Sequence, residues 1–395
     1  METTYLIMVG AEANNNKFYR MIPSGDSFTV EYGRVGASGF QTTTYPLSKW
    51  NSLYSSKVKK GYRDVSKLSI DIVPEKKSEY VPITNQIVAE IVNRLQQMAR
   101  KTIADNYTVA STKVTQAMID EAQVLLNGLL SIDSVELFNA KLLELFSVIP
   151  RKMSRVADFL AKRTEDFVNI IKKEQDLLDV MKGQVVEHTA DEEAESHEVT
   201  ILETMGLEFT PVDDSDVQII KAKLRGQSYR YYNAWKIVNK KTQQRFDNFV
   251  KENGIACTEL LFHGSRNENF WSIIGSGLMI RPSNAVYTGS MFGDAIYFAN
   301  DAGKSLGYSS LSGSRWTGGS SNFGFLALFD TAYGNPYFVY DFNSRFYNFN
   351  YQKLQQCQAN ANCLHASASR GMLRCDEIVF YKPEQATIQY LVEMR

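Results

Sequence analysis

The sequence predicts a multidomain α+β protein: a small β-module, an all-α bundle, and a last α+β domain built on antiparallel sheets. Three observations carry this. Residues 1–72 alternate short strand-forming runs with turn residues. Residues 82–186 are dominated by apolar stripes at helical spacing. Residues 200–395 are rich in Tyr, Phe and Gly and broken into short apolar runs, with few long helical patterns.

Taken in order, Tyr5 to Val9 reads as a strand and Asn14-Asn15-Asn16 as a turn. Lys17 to Ile22 reads as a second strand and Pro23 to Asp26 as a second turn. Phe28 to Tyr32 alternates as a half-buried strand does, and a glycine-studded bend at Gly33, Gly36 and Gly39 follows. A helix then places Trp50, Leu53 and Tyr54 on one face and carries Lys49, Lys57, Lys59 and Lys60, with Arg63 just beyond. Residues 73–81 combine charge and proline without periodicity and read as a linker.

In the bundle, Ile87, Ile91, Leu95 and Met98 mark one helix face, and a Ser/Thr-rich stretch from Thr108 to Thr112 breaks it. Met118, Ala122, Leu125 and Leu129 mark a second helix. Val135, Phe138, Leu142 and Leu145 mark a third, which stops at Ile149-Pro150. A last long stretch runs from Val156 to Met181. Residues 187–199, with Glu187, Asp191, Glu192, Glu193, Glu195 and Glu198, read as a solvated acidic loop.

Composition sets limits. Apolar content of 44% and charged content of 22% are ordinary for soluble globular protein. A net charge of -1 gives no bulk attraction to nucleic acid, so any basic surface is local. Cys257, Cys357, Cys363 and Cys375 form no Cys-x-x-Cys pair, and no histidine stands at zinc-finger spacing from them. Reduced thiols in an intracellular protein are expected. There is no basic n-region before the Tyr5–Val9 run, and nothing approaches the roughly 20 apolar residues of a membrane span.

The stretch Leu260-Leu261-Phe262-His263-Gly264-Ser265-Arg266-Asn267-Glu268-Asn269-Phe270 organises the last domain. A buried strand ends abruptly in a polar turn, and a short helix follows. That delivers His263 to a cleft edge, and Gly264 lets the backbone come close to a ligand. No Gly-x-Gly-x-x-Gly turn follows a strand, so a doubly wound dinucleotide fold is not expected.

Two further stretches join this one: Gly289 to Asn300, followed by Lys304, Ser305 and Tyr308, and Cys375-Asp376-Glu377-Ile378-Val379-Phe380-Tyr381. Together they resemble the catalytic signature of the poly(ADP-ribose) polymerase family, with its His-Tyr-Glu triad. Tyr32-Gly33-Arg34-Val35-Gly36 and Lys60-Gly61-Tyr62-Arg63-Asp64 resemble the family's WGR domain, with Tyr32 where the name-giving Trp is usual. The helical segment, most clearly Leu143 to Pro150, resembles the family's helical regulatory domain. The implied organisation is a WGR-like DNA-binding domain at 1–72, a helical regulatory domain at 82–199 and an ADP-ribosyltransferase domain at 200–395.

The reaction breaks the bond between nicotinamide and ribose through an oxocarbenium-like state. It needs a rigidly held dinucleotide, a carboxylate near the developing charge, and a polarised acceptor hydroxyl. By resemblance, Glu377, His263 and Tyr297 are catalytic. His263, Gly264, Ser265, Arg266, Asn269, Tyr297, Ser305 and Tyr308 bind NAD+, and Lys304 lies on the acceptor side. Tyr308 stacks on nicotinamide, Gly264 and Ser305 hold its amide, and Glu377 takes the ribose 2′-hydroxyl. Tyr32, Arg34, Lys59, Lys60 and Arg63 are the expected DNA contacts.

Two residues of the last domain depart from the family pattern: Met279 stands where an adenosine-side arginine is common, with Arg281 nearby, and Ala295 stands where glycine is usual. NAD+ is expected as substrate and no metal is required. DNA strand breaks and protein acceptors, the chain itself included, are the implied partners of a monomer that binds no membrane. It would work in the nucleus of a eukaryotic cell, or in the cytoplasm or at the nucleoid of a bacterial one. The competing expectations are a DNA-end-binding scaffold with weak or mono-ADP-ribosyltransferase activity, and an NAD glycohydrolase using the same site.

Overall fold

Residues 2–37, 39–66, 80–108, 114–192, 199–280, 291–371 and 373–395 are described by the computed structural model. The expected linker at 73–79, most of the break after Thr108, Arg281, Gly289, Ser290, and the acidic residues Glu193, Glu195 and Glu198 lie outside the described residues. The chain is mixed α and β, its sheets almost entirely antiparallel. It divides into two compact units, residues 1–77 with 100–185 and residues 78–99 with 186–395.

In the first unit, β1 (Thr4–Gly10), β2 (Asn15–Ser24), β3 (Ser27–Arg34), β4 (Gln41–Pro46), α1 (Trp50–Lys59) and β5 (Arg63–Asp64) follow one another. The strands form one antiparallel sheet in the order β4-β3-β2-β1-β5. Alternation explains its two faces. Leu6, Tyr19, Met21, Phe28 and Val30 cluster beneath Trp50 of α1, while Ile7, Val35 and Val65 cluster on the other side. The hairpin between β2 and β3 turns at Gly25, whose φ of +58° few side chains tolerate.

Four helices come next: α2 (Gln86–Asn106), α3 (Gln116–Leu129), α4 (Val135–Val148) and α5 (Phe167–Glu192). The two unit boundaries at 99/100 and 185/186 fall inside α2 and α5. Thr115 and Ser134 start α3 and α4, each hydroxyl accepting a first-turn amide hydrogen, a cap worth about 1 kcal/mol. Leu125, Leu129, Phe138, Leu142 and Leu145 are buried as their spacing predicts. In α2 the buried stripe starts at Val88 rather than Ile87, which is 50% exposed, and continues through Ile91, Val92, Leu95 and Ala99.

In the second unit α5 runs to Glu192, which corrects the expected acidic loop at its first residues. Glu187 is not solvated. It is 7% exposed and accepts from Trp271 Nε1 at 2.8 Å and from Gln96 Nε2 at 3.1 Å. Periodicity could not reveal this, because a buried indole N–H that needs an acceptor lies far away in sequence.

The rest of this unit comprises α6 (Ile201–Met205), β6 (Leu207–Pro211), α7 (Asp214–Leu224), β7 (Tyr231–Asn239), α8 (Lys240–Glu252), β8 (Glu259–Gly264) and α9 (Phe270–Ser276). After these come β9 (Ile296–Phe298), α10 (Ala302–Leu306), β10 (Gly324–Thr331), β11 (Pro336–Val339), α11 (Tyr351–Cys357), β12 (Cys363–Ala366), β13 (Glu377–Phe380) and β14 (Ala386–Met394). One sheet, β6-β7-β14-β10-β8, is antiparallel throughout. The other, β11-β12-β13-β9, is antiparallel except for the β11–β12 pair. Glu393 on β14 is fully buried and pairs with Arg94 of α2 at 2.8 Å and with Arg395 at 2.9 Å.

Candidate active site

The two sheets of the second unit meet at their edge strands. Phe262 N donates to Ala299 O at 2.8 Å and Ala299 N returns the bond to Phe262 O at 3.0 Å. Leu261 and Phe262 are fully buried, and β8 stays paired with β10 through His263 and Gly264. At this seam His263 Nδ1 lies 3.2 Å from the carbonyl oxygen of Tyr297. A carbonyl only accepts, so Nδ1 carries the hydrogen, and Nε2 of the neutral ring is left as an acceptor. Burial holds the His263 ring below the ordinary imidazole range, against the opposing effect of the bond to Tyr297.

Gly264 follows. Any Cβ there would collide with the carbonyl oxygen of Ser305, so this close approach between β8 and α10 requires glycine. Asp301 starts α10 by accepting Lys304 N at 2.8 Å, which directs Lys304 and Ser305 toward the seam. Ser305 is 4% exposed and its hydroxyl donates to Phe262 O at 3.3 Å.

Glu377 opens β13. Val379 pairs with Tyr297 across β13 and β9, so Glu377, two residues away, shares the face of Tyr297. Lys304 Nζ lies 2.7 Å from Glu377 Oε1 and also donates to the carbonyls of Cys375 at 3.3 Å and Asp376 at 3.2 Å. Glu377 Oε2 is buried and has no hydrogen-bond partner among the described residues. The Tyr297 hydroxyl donates to Gly293 O at 2.9 Å and accepts from Phe292 N at 3.0 Å. It therefore supports the turn before β9, where Gly293 has a φ of +79° and packs on the Phe349 backbone. Burial and the neighbouring Glu377 carboxylate push the Tyr308 phenol up to about 12.

Of the expected adenosine-side residues, Asn269 donates to the Ser265 hydroxyl at 3.0 Å, and its buried Oδ1 has no hydrogen-bond partner among the described residues. Arg266 Nη2 donates to Thr317 O at 3.2 Å. Glu377 Oε2 and Asn269 Oδ1 are thus two buried acceptors that carry no hydrogen bond among the described residues. Among the described residues no group of three His, Cys, Asp or Glu side chains is arranged to hold a metal.

Sequence reasoning missed what stands behind Glu377. Asp376 accepts from Ala368 N at 2.7 Å, His365 Nε2 lies 3.0 Å away, and Asn300 Nδ2 donates at 3.4 Å. His365 Nδ1 in turn meets the Tyr333 hydroxyl at 2.7 Å. Burial raises the Asp376 carboxyl, but the bonds from Ala368 and His365 outweigh it and hold the group below the usual carboxylate range. The only available signal was Asp376 itself, a second acid adjoining Glu377.

The expected DNA contacts lie in the first unit. Lys59 and Lys60 are exposed. Tyr32 packs on Tyr19, with ring centroids 5.9 Å apart. Arg34 is committed to backbone: it donates to Asn14 O at 2.9 Å and to Met153 O and Ser154 O, both at 3.1 Å. Arg63 pairs with Glu121 at 2.6 Å.

His263, Tyr297 and the lysine-paired Glu377 thus lie along one sheet seam, beside a glycine that leaves the backbone bare. Residues 215–395 match the model of the poly(ADP-ribose) polymerase catalytic domain, and residues 2–68 match that of the WGR domain. An uncharacterized protein of Invertebrate iridescent virus 6 is 36% identical over 184 residues, covering 46% of this chain and 76% of the viral one. A poly(ADP-ribose) polymerase-like protein of the same virus is 30% identical over 158 residues, covering 39% of this chain and 80% of the viral one. Poly(ADP-ribose) polymerase 1 of Gallus gallus is 26% identical over 301 residues, covering 71% of this chain and 26% of its own. The chain belongs to the poly(ADP-ribose) polymerase family.

Proposed function

We propose that this protein transfers ADP-ribose from NAD+ to itself and to neighbouring proteins when DNA breaks are present, with release of nicotinamide. The observation that carries the chemistry is the Lys304–Glu377 pair at 2.7 Å, on the same seam as His263 and Tyr297. Glu377 Oε2 accepts the ribose 2′-hydroxyl and faces the positive charge that develops as the C1′–N bond breaks. Nicotinamide leaves with the electron pair of that bond. The acceptor oxygen bonds to C1′ and yields its proton toward Glu377. His263 Nε2 accepts a hydroxyl of the adenosine ribose. Gly264 and Ser305 hold the nicotinamide amide, Tyr308 stacks on its ring, and Tyr297 braces the same pocket. Ser265, Arg266 and Asn269 take the adenosine side, and Lys304 orients Glu377 toward the acceptor.

Support for the DNA dependence comes from the WGR match over residues 2–68 and from exposed Lys59 and Lys60 on that module. We read residues 82–199 as a helical regulatory segment that restrains the transferase until DNA is bound. The buried Glu393 carboxylate, held by Arg94 of α2, is the contact that favours this within the second unit. The protein works as a monomer inside the cell, beside DNA.

The test is incorporation of labelled NAD+ into protein, with and without nicked DNA, beside Glu377→Gln. DNA-stimulated labelling that the variant loses is the expected result. Labelling indifferent to DNA removes the break-sensing role. DNA binding without labelling in the wild type makes the chain a scaffold, and free ADP-ribose without labelled protein makes it a glycohydrolase. Product size on a gel separates chains from single units.

A further inference from the structure

The loop after α10 is fixed more firmly than its serines and glycines foretell. Ser309 is fully buried and Ser314 is 9% exposed, with their hydroxyls 3.1 Å apart. Ser314 Oγ also reaches Leu306 O at 2.9 Å and Leu311 O at 2.6 Å. Asn267 N donates to Ser310 Oγ at 2.9 Å, and Arg266 holds Thr317 O, so the loop is tied on both flanks to the turn after His263.

What this bracing holds in place is Trp316. Its backbone N donates to Gly307 O at 2.9 Å, and its ring stacks on Tyr308 with centroids 6.1 Å apart and planes inclined by 22°. Gly307 makes room for it, since a Cβ there would lie 3.0 Å from Trp316 Cδ1. Arg315 covers the indole at 4.7 Å. The ring is nonetheless 52% exposed, whereas Trp50, Trp235 and Trp271 are at 7%, 3% and 1%. An indole this exposed gains little from burial, so its fixed orientation against Tyr308 is what the loop secures.

We propose that Trp316 is a positioning residue for ADP-ribosyl transfer: it backs one face of the Tyr308 ring and so sets the plane on which nicotinamide is received. The inference rests on the reading that Tyr308 stacks on nicotinamide. An aromatic ring has two faces; with Trp316 stacked on one, nicotinamide takes the other.

The experiment uses the full chain and nicotinamide itself as probe. Binding is followed by calorimetry and by tryptophan emission in the wild type, Trp316→Ala, Trp316→Phe, Gly307→Ala and Tyr308→Ala. Nicotinamide should change the emission of the wild type, and that change should vanish in Trp316→Phe although the ligand still binds. Trp316→Ala should weaken nicotinamide binding and raise KM for NAD+ by about three- to tenfold, the factor expected of one aromatic pair, with kcat little altered. Trp316→Phe should recover most of it. Gly307→Ala, which keeps the indole but displaces it, should weaken binding in the same direction and covers the case in which Trp316→Ala does not fold. Wild-type affinity in Trp316→Ala or in Gly307→Ala beside a loss in Tyr308→Ala overturns the proposal, as does an emission change that persists in Trp316→Phe. Wild-type affinity in Tyr308→Ala overturns the reading of Tyr308 and the proposal with it.

Discussion

Lys304 and Glu377 come from different elements, α10 and the first residue of β13, and their charged ends meet at 2.7 Å. The same ammonium also takes the two carbonyls just before Glu377. One side chain therefore fixes both the carboxylate and the backbone that presents it.

Removing that ammonium should misplace Glu377 more than it weakens substrate binding. Lys304→Ala is expected to lower kcat by up to about a hundredfold, the cost of a misplaced catalytic group, with a smaller change in KM. Glu377→Gln should lose about a hundred- to a thousandfold in kcat, because the charge that faces the transition state is gone. Steady-state release of nicotinamide checks both, and an unchanged kcat in Lys304→Ala would refute the positioning role.

The two kinds of basic residue in the first unit should separate in experiment. Arg34 satisfies three backbone carbonyls, so Arg34→Ala should destabilise the protein by about 1–3 kcal/mol, seen as a lower thermal midpoint. Lys59→Ala and Lys60→Ala remove exposed charges and should leave the midpoint unchanged. Each should instead reduce the salt dependence of DNA affinity by about one unit of slope. Salt titration of DNA binding beside a melting curve distinguishes the two patterns.

His263 gives the pH dependence its sign. Burial lowers its folded-state value below the 6.5 of the free side chain, so below that pH the unfolded chain binds the proton first. Its contribution to stability is fully present above pH 6.5 and is lost as pH falls through the folded value. Protonation also removes the Nε2 acceptor, so affinity for NAD+ should fall in the same direction. Melting and NAD+ titration across this range, beside His263→Gln, check it: the variant should flatten both curves, and identical curves would count against the assignment.

Glu187 offers a test of burial. Glu187→Ala leaves the buried indole N–H of Trp271 without its acceptor and should cost about 1–3 kcal/mol, whereas Glu187→Gln keeps a carbonyl oxygen there and should cost less. A glutamate in a solvated loop would cost nothing on either change. Thermal melts of the two variants decide it.

Much of the candidate site was legible because local pattern and local structure agree there. The apolar run before His263 becomes β8, Ile296-Tyr297-Phe298 becomes β9, and Glu377 opens a strand as its apolar neighbours predict. What sequence could not yield is pairing at a distance. Nothing near Glu187 announces Trp271, nothing near Asp376 announces His365 and Tyr333, and no spacing rule sends Arg34 to the carbonyls of Met153 and Ser154. Such contacts are decided by tertiary geometry and by the need of buried polar groups for partners.

The close approach of Gly264 to the Ser305 carbonyl has a consequence for inhibition. A compound that takes its hydrogen bonds from the backbone of Gly264 binds atoms that every amino acid possesses. Exchange of Gly264 for any other residue would collide with Ser305 before it could repel the compound. Resistance would have to arise elsewhere, in side chains that line the pocket without closing it.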